Sequence, residues 1–480
     1  IIAKPPQDCP RSKKGTFWKL SKALYGLARS AHHWYATIST HLAEGLGLKA
    51  MGHGKCALKC QPFPGKPPIY LGLYVDDFAY YSKPGEAEQW LENNLKSHAK
   101  AGFMGDANWF LGQRYGWLTG DDSRVSCHIP QQAFIEAMLH KFNLQHICPT
   151  KTPYRSGLKI DRVEENPFNS PEDIQRYQQI TGCLSWLATS TRPGISAAFS
   201  LLSQYSSKPS PGHWEAAKHA LKYLKGAAPH GTWLRQGEAR LEGNVAIPEE
   251  LRGLEAILFT DANWGPQDAS QPKENEARAA KMEELKPIQG FYLARMGGPL
   301  LWGAQREKRG SRSSCMAELK AAGEGAKGTQ CLRHLMKQLG LPGIGCPAPA
   351  LNGSRGPAGW AGSGCKPAKK LRHESLAELG IAEAKQHGEA SFYWIPGKTN
   401  PAGIFTKEGN DIQHYCSLRG LVAMAREKLI DESNEGKSSN PAETKKEPTD
   451  EDKEMPRSEE HTSELQSHSD LVCRLLLENK

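Results

Sequence analysis

Tyr74-Val75-Asp76-Asp77, set between the apolar run Ile69-Tyr70-Leu71-Gly72-Leu73 and the aromatic run Phe78-Ala79-Tyr80-Tyr81, decides how this chain is read. Both flanks favour extended backbone, so the segment predicts strand, tight turn, strand, with the turn as its only polar part. Two adjacent Asp side chains repel one another, and solvent or a divalent cation relieves that repulsion. A carboxylate pair displayed at a hairpin tip can hold Mg²⁺, which stabilises both the attacking and the leaving oxygen of a phosphoryl displacement. The same four residues also suit a plain hairpin turn with no chemical role.

Working outward, Trp18-Lys19-Leu20-Ser21-Lys22-Ala23-Leu24-Tyr25-Gly26-Leu27 and Trp34-Tyr35 precede the hairpin. Trp109-Phe110-Leu111-Gly112, a helical pattern over 131–144 and Thr152-Pro153 follow it. This ordered set resembles the reverse transcriptase of copia-type retrotransposons, in which K-x-A-L-Y-G-L, a Trp, Y-V-D-D and F-L-G run through the palm and into the thumb. The likeness continues through Gly182-Cys183-Leu184-Ser185-Trp186-Leu187, Thr191-Arg192-Pro193-Gly194-Ile195 and His213-Trp214-Glu215-Ala216-Ala217-Lys218, and ends near Leu421. It implies a metal-dependent polymerase, with Asp76 and Asp77 as metal ligands and Tyr74 and Phe110 near a primer end. The implied cofactor is Mg²⁺, with Mn²⁺ as the alternative ion. The implied partners are an RNA template, a DNA primer and an RNA–DNA hybrid, in an intracellular setting of cytoplasmic particle or nucleus. The family's further metal-binding Asp lies well upstream of K-x-A-L-Y-G-L, beyond Ile1. The start, Ile1-Ile2-Ala3-Lys4, has no Met and reads as a fragment. The expectation is therefore that this chain alone does not extend a primer.

A second candidate centre opens at Leu254-Glu255-Ala256-Ile257-Leu258-Phe259-Thr260-Asp261, an apolar strand ending in a carboxylate. Residues 288–294 and 300–304 predict two more strands around Gly297-Gly298, and a long helix is expected from about Ser313, carrying Glu318. This order resembles ribonuclease H, which implies that Asp261 and Glu318 help bind two metal ions. A strand-end Asp and a helix-dipole Glu would look the same without any such role. In the family the third carboxylate falls in D-N-x-S and the fourth in A-D-I-F-T-K. Here Leu351-Asn352-Gly353-Ser354 and Ala402-Gly403-Ile404-Phe405-Thr406-Lys407 put Leu351 and Gly403 in those positions. Two-metal chemistry needs its carboxylates, so the expected ribonuclease H activity is severely reduced or absent.

Composition fits this reading. The 480 residues, 38% hydrophobic and 24% charged, suffice for two or three domains. No run approaches the roughly 18 apolar residues of a membrane span, and no signal-peptide pattern opens the chain. The twelve Cys show no repeated short spacing, and Cys56, Cys60 and His53 lack a fourth zinc ligand. Residues 426–480 carry a net −6 against +9 for the whole chain, which leaves the body at +15, a charge suited to nucleic acid. In the helix expected over 213–225, Trp214, Ala217, Leu221 and Leu224 share one face, while Lys218, Lys222 and Lys225 line another. That stripe suits a phosphate backbone or an ordinary solvated face.

The expected architecture is α+β: a truncated reverse transcriptase palm and thumb-like part over 1–154, a linker and helical connection over 155–250, and a ribonuclease H-like mixed sheet with helices over 251–425. The stretch 155–173 reads as a polar linker, 174–189 and 195–206 as helices, and 266–287 as a surface insertion. Residues 426–456 have the composition of an acidic disordered tail. Residues 457–480, beginning Arg457-Ser458-Glu459-Glu460-His461, resemble the in-frame translation of a sequencing adapter, outside fold reasoning. The rival class is a catalytically inactive, basic nucleic-acid-binding remnant. The oligomeric state is not legible.

Overall fold

The computed structural model describes residues 2–3, 17–19, 27, 29–51, 55–98, 101–120, 123–154, 170–235, 247–251, 256–264, 286–295, 297–307, 310–311, 313–340, 347–364, 375–407 and 411–422. The segments 155–169, 265–285 and 423–480, together with His53, lie outside them, and with them most of the expected linker and insertion and both C-terminal pieces. The chain divides into two units, one of residues 1–112 with 334–342 and one of residues 113–333 with 343–480.

In the first unit, helix α1 (Ser30–Thr40) runs into a π-helical turn (His41–Gly45). Strands β1 (Lys49–Ala50), β2 (Ala57–Cys60), β3 (Ile69–Tyr74) and β4 (Asp77–Tyr81) pair in sequence order, all antiparallel. Period-two alternation in β3 sends Ile69, Leu71 and Leu73 to the buried face. Helix α2 (Glu86–His98) presents Ala87, Leu91 and Leu95, one helical stripe, to that face, where Ile38 and Leu42 complete the core.

The second unit begins with β5 (Gly116–Thr119), β6 (Val125–Ile129) and α3 (Gln132–Lys141). Helices α4 (Pro171–Ser190), α5 (Ser196–Ser203) and α6 (Pro211–Gly226) follow, then β7 (Thr232–Arg235), which closes a β7-β6-β5 sheet. Next come β8 (Ala256–Asn263), β9 (Ile288–Arg295), β10 (Gly298–Arg306), α7 (Ser314–Leu339), β11 (Ala348–Asn352), α8 (Arg355–Gly362), α9 (Ser375–Gln386), β12 (Ala390–Trp394) and α10 (Ile412–Leu421). These strands form one mixed sheet in the order β10-β9-β8-β11-β12, antiparallel from β10 to β8 and parallel from β8 to β12. The first strand, β8, is central, and Ala256 to Asp261 are all buried, as a strand covered on both faces requires. On one face Phe259, Tyr292, Leu351 and Phe405 join a core shared with α3, α4, α5 and α6. On the other, Gly325 of α7 lies so close that a Cβ there would sit 2.8 Å from Thr260 Cγ2.

Three sequence expectations shift at their edges. The helix expected over 131–144 is confined to α3, because Gln131 takes φ +49° and stands outside it. The expected linker reached Asp173, but Pro171 opens α4, with the Ser170 hydroxyl accepting the Asp173 N–H at 3.4 Å. Proline suits the first helical position, where its missing N–H costs nothing. Gly298 belongs to β10 rather than to a turn, pairing with Arg295 of β9, and a Cβ there would strike the Trp233 carbonyl.

The segment Thr191-Arg192-Pro193-Gly194 fastens the second unit together. Arg192 is fully buried, and its guanidinium donates to the carbonyls of Ala227 at 3.1 Å, Ala228 at 2.9 Å and Pro130. Two of these close the C-terminus of α6, where a cation also meets the negative end of the helix dipole. Thr191 donates to Gln131 and its carbonyl accepts from Thr232 at 3.1 Å, while Gly194 accepts the Tyr415 hydroxyl at 2.9 Å. Burial lowers the guanidinium pKa to about 10, so it stays charged at neutral pH. Arg192→Met removes the guanidinium donor from three carbonyls, those of Ala227 and Ala228 buried and that of Pro130 partly so, and is expected to destabilise the second unit by about 3–5 kcal/mol. Urea unfolding of the full chain, read by tryptophan fluorescence, checks this, and a loss below about 1 kcal/mol would contradict it.

Candidate functional site

The hairpin β3–β4 turns on two residues, Val75 and Asp76, with Tyr74 paired to Asp77 across its base. Asp76 and Asp77 are both exposed, side by side at the tip. Val75 sits at φ +49°, and its carbonyl accepts the Trp34 indole N–H of α1 at 2.6 Å. Tyr74 and Phe110 are half-buried. As solvent-facing oxygen donors Asp76 and Asp77 fit a divalent cation, but no third acidic, His or Cys side chain joins them among the described residues.

The second unit brings Asp261 and Glu318 to the carboxyl end of the parallel strands. Asp261, 4% exposed, ends the buried run of β8. Its Oδ2 accepts the Thr406 hydroxyl, and Lys407 Nζ stands 4.0 Å away. Glu318 is the fifth residue of α7, and the first turn holds no acidic residue. The helix dipole acts mainly over the first turn, so it gives little account of this Glu. Glu318 Oε2 accepts from Asn352 Nδ2 at 3.0 Å, and the carboxylate also accepts the Ala262 N–H. Asn352 Nδ2 further donates to Thr260 Oγ1 at 2.9 Å, and Asn400 Nδ2 to the Thr260 carbonyl at 2.9 Å.

Burial raises the pKa of Asp261, opposed by Lys407 and Thr406. Burial, then the Asp261 charge, pushes Glu318 up to about 8. The ammonium and hydroxyl beside Asp261 make it the ionised partner and leave the proton on Glu318. The native state thus holds a proton that the unfolded chain, near 4.5, releases. Stability from this group is full below about pH 4.5 and declines as pH rises toward 8. Glu318→Gln should flatten that decline, read as the difference in melting temperature between pH 5 and pH 9. An unchanged pH slope would contradict the assignment.

Leu351 and Gly403, the two positions where the ribonuclease H resemblance expects carboxylates, both lie among the described residues. Leu351 is fully buried in the core with Phe259 and Phe405. Its neighbour Asn352 reaches Glu318 instead, because successive strand residues face opposite sides. A Cβ on Gly403 would lie 3.3 Å from Lys407 Nζ, and one on Gly353 would lie 3.3 Å from Asp261 Oδ1. Among the described residues no cluster of three or more acidic, His or Cys side chains could hold a metal ion. Two carboxylates already engaged by hydroxyl, amide and backbone donors do not fit a two-metal centre. Leu351→Asp should cost about 3 kcal/mol or more in urea unfolding, as burial of an unpaired charge, whereas Leu351→Met should cost under about 1.5 kcal/mol.

Asn352, Asn400, Thr406 and Lys407 were not singled out as functional by sequence reasoning. Their signal was present: Asn352 and Thr406 close buried apolar runs, Asn400 opens the run that Thr406 closes, and Lys407 follows it. The expected basic stripe on α6 is largely engaged within the protein. Lys218 pairs with Glu215 at 2.5 Å, Lys225 donates to the carbonyls of Gln145 at 2.6 Å and Ile147 at 2.8 Å, and Lys222 is half-buried.

Comparison with known proteins supplies the family. Residues 1–156 match the family model described as reverse transcriptase (RNA-dependent DNA polymerase). The chain is 23% identical over 340 residues to the retrovirus-related Pol polyprotein from transposon RE2 of Arabidopsis thaliana, covering 71% of this chain and 21% of that protein. It is 26% identical over 339 residues to the corresponding polyprotein from transposon TNT 1-94 of Nicotiana tabacum, covering 68% and 22%. The first 156 residues are a reverse transcriptase domain of the copia-type Pol family. The chain spans about a fifth of the length of these polyproteins. The reverse transcriptase match takes in the Asp76–Asp77 hairpin and ends before α4, so the Asp261–Glu318 pair lies outside it. No solved structure matches the chain. Among the described residues no helix is long and apolar enough to cross a membrane.

Proposed function

We propose that Asp76 and Asp77 are the polymerase carboxylates of this reverse transcriptase domain. The observation that carries the reading is their joint exposure on a two-residue hairpin inside the matched region. In that reading residues 1–154 belong to a palm with a thumb-like part, acting on an RNA template and a DNA primer. A divalent cation held by Asp76 and Asp77, Mg²⁺ or Mn²⁺, would neutralise charge on the transferring phosphoryl group. The chain's own residues hold the carboxylates open to solvent, on a sheet edge anchored by the Leu71–Leu91 core.

Residues 251–425 are, in the same reading, a ribonuclease H-like domain joined by the helical connection over 155–250. A five-stranded mixed sheet with its first strand central, and an Asp of that strand beside a Glu of the first long helix, supports this. Its carboxylate set is too small for hybrid cleavage, so this part serves at most to bind nucleic acid.

Purified full-length chain, given an RNA–DNA hybrid with Mg²⁺ or Mn²⁺, is expected to cleave no more than its Asp261→Asn variant. On a primed RNA template with Mg²⁺ or Mn²⁺, any nucleotide incorporation is expected to be lost in Asp76→Asn. Hybrid cleavage abolished by Asp261→Asn would overturn the reading of the second unit, and incorporation that survives Asp76→Asn would overturn the assignment of that carboxylate to the polymerase pair.

A further inference from the structure

We infer that Trp34 is a positioning residue of the Asp76–Asp77 hairpin, holding it in a backbone conformation it would otherwise leave; the functional meaning of this rests on the reading of those carboxylates as the polymerase pair. Val75 is β-branched yet sits at φ +49°. Tight hairpins reserve such a position for Gly or Asn, because a branched Cβ crowds the following carbonyl. Strain of this kind persists only where surrounding structure imposes it. Burial of the Val75 side chain does not, since it is 44% exposed. The constraint acts on the backbone, where the Val75 carbonyl accepts the Trp34 indole N–H at 2.6 Å.

Trp34 is well placed to impose it. Its ring packs against the core of α1, α2 and the sheet, so the donor is carried on a rigid element 41 positions away in sequence. The neighbouring Tyr35 hydroxyl donates to the Lys55 carbonyl at 3.2 Å, fixing the same stretch of α1 to the chain entering β2. A one-point hold on the carbonyl between Val75 and Asp76 sets the direction of the peptide that carries the first carboxylate. The aromatic ring supplies packing, while the N–H supplies the hold, and the two are separable by substitution.

Hydrogen–deuterium exchange of the full chain separates them. Trp34→Phe keeps the ring and removes the donor. Exchange in a peptide spanning residues 74–81 should rise about five- to tenfold, the change expected from losing one hydrogen bond. Exchange across α2 and the melting temperature should stay unchanged. Adding Val75→Gly, which removes the strain, should return the hairpin peptide to within about twofold of the parent. No rise in Trp34→Phe would overturn the inference. A rise spread over α2, or one that Val75→Gly does not reverse, would show a packing role instead and overturn it equally. Because exchange reads the hairpin and not catalysis, failure of the polymerase reading would leave these outcomes intact.

Discussion

A buried cation aimed at backbone carbonyls holds the second unit in register. Arg192 reaches two carbonyls at the end of α6 and one before α3, while its neighbours Thr191 and Gly194 take in β7 and α10. A charge inside a protein is costly unless its donors are met, so this segment tolerates few alternative arrangements. The helices it gathers share their core with the five-stranded sheet. The end of β8, and with it Asp261, is consequently placed by packing that begins near Ile135 and ends at Val422.

The two carboxylate pairs illustrate opposite solutions to one electrostatic problem. Asp76 and Asp77 are adjacent in sequence and face water, which screens their repulsion. Asp261 and Glu318 come from a strand and a helix and are largely taken out of water. They coexist because Thr406 and Lys407 stabilise charge on Asp261 while Glu318 keeps its proton among Asn352 and Ala262. The first arrangement stays exposed to solvent. In the second, the donors of the protein occupy the carboxylates.

Much of this was legible in the sequence, for physical reasons that differ by element. The β3–β4 hairpin was readable because apolar alternation in β3 and a two-residue turn leave one register available, although the turn is Val75-Asp76 and Asp77 already belongs to β4. The strand β8 was readable because an unbroken apolar run ending in Asp needs cover on both faces. The start of α4 was missed because Pro171 stands near the end of a polar stretch that reads as linker, although at the first helical position proline is harmless. The part played by Asn352 was hidden by the pairing of β11 with β8, which sends Leu351 into the core and Asn352 to Glu318. Val75 could not be read as strained, since a positive φ leaves no mark in a Val side chain.

Mn²⁺ titration of the full chain, followed by electron paramagnetic resonance of the free ion, tests most directly the proposal that the engaged Asp261–Glu318 pair is not a two-metal centre. The chain and its Asp261→Asn, Glu318→Gln double variant should give superimposable binding curves, with any weak binding common to both and sensitive to Asp76→Asn. Loss of one or two ions from the double variant alone would show a working metal centre at the end of β8 and contradict the account.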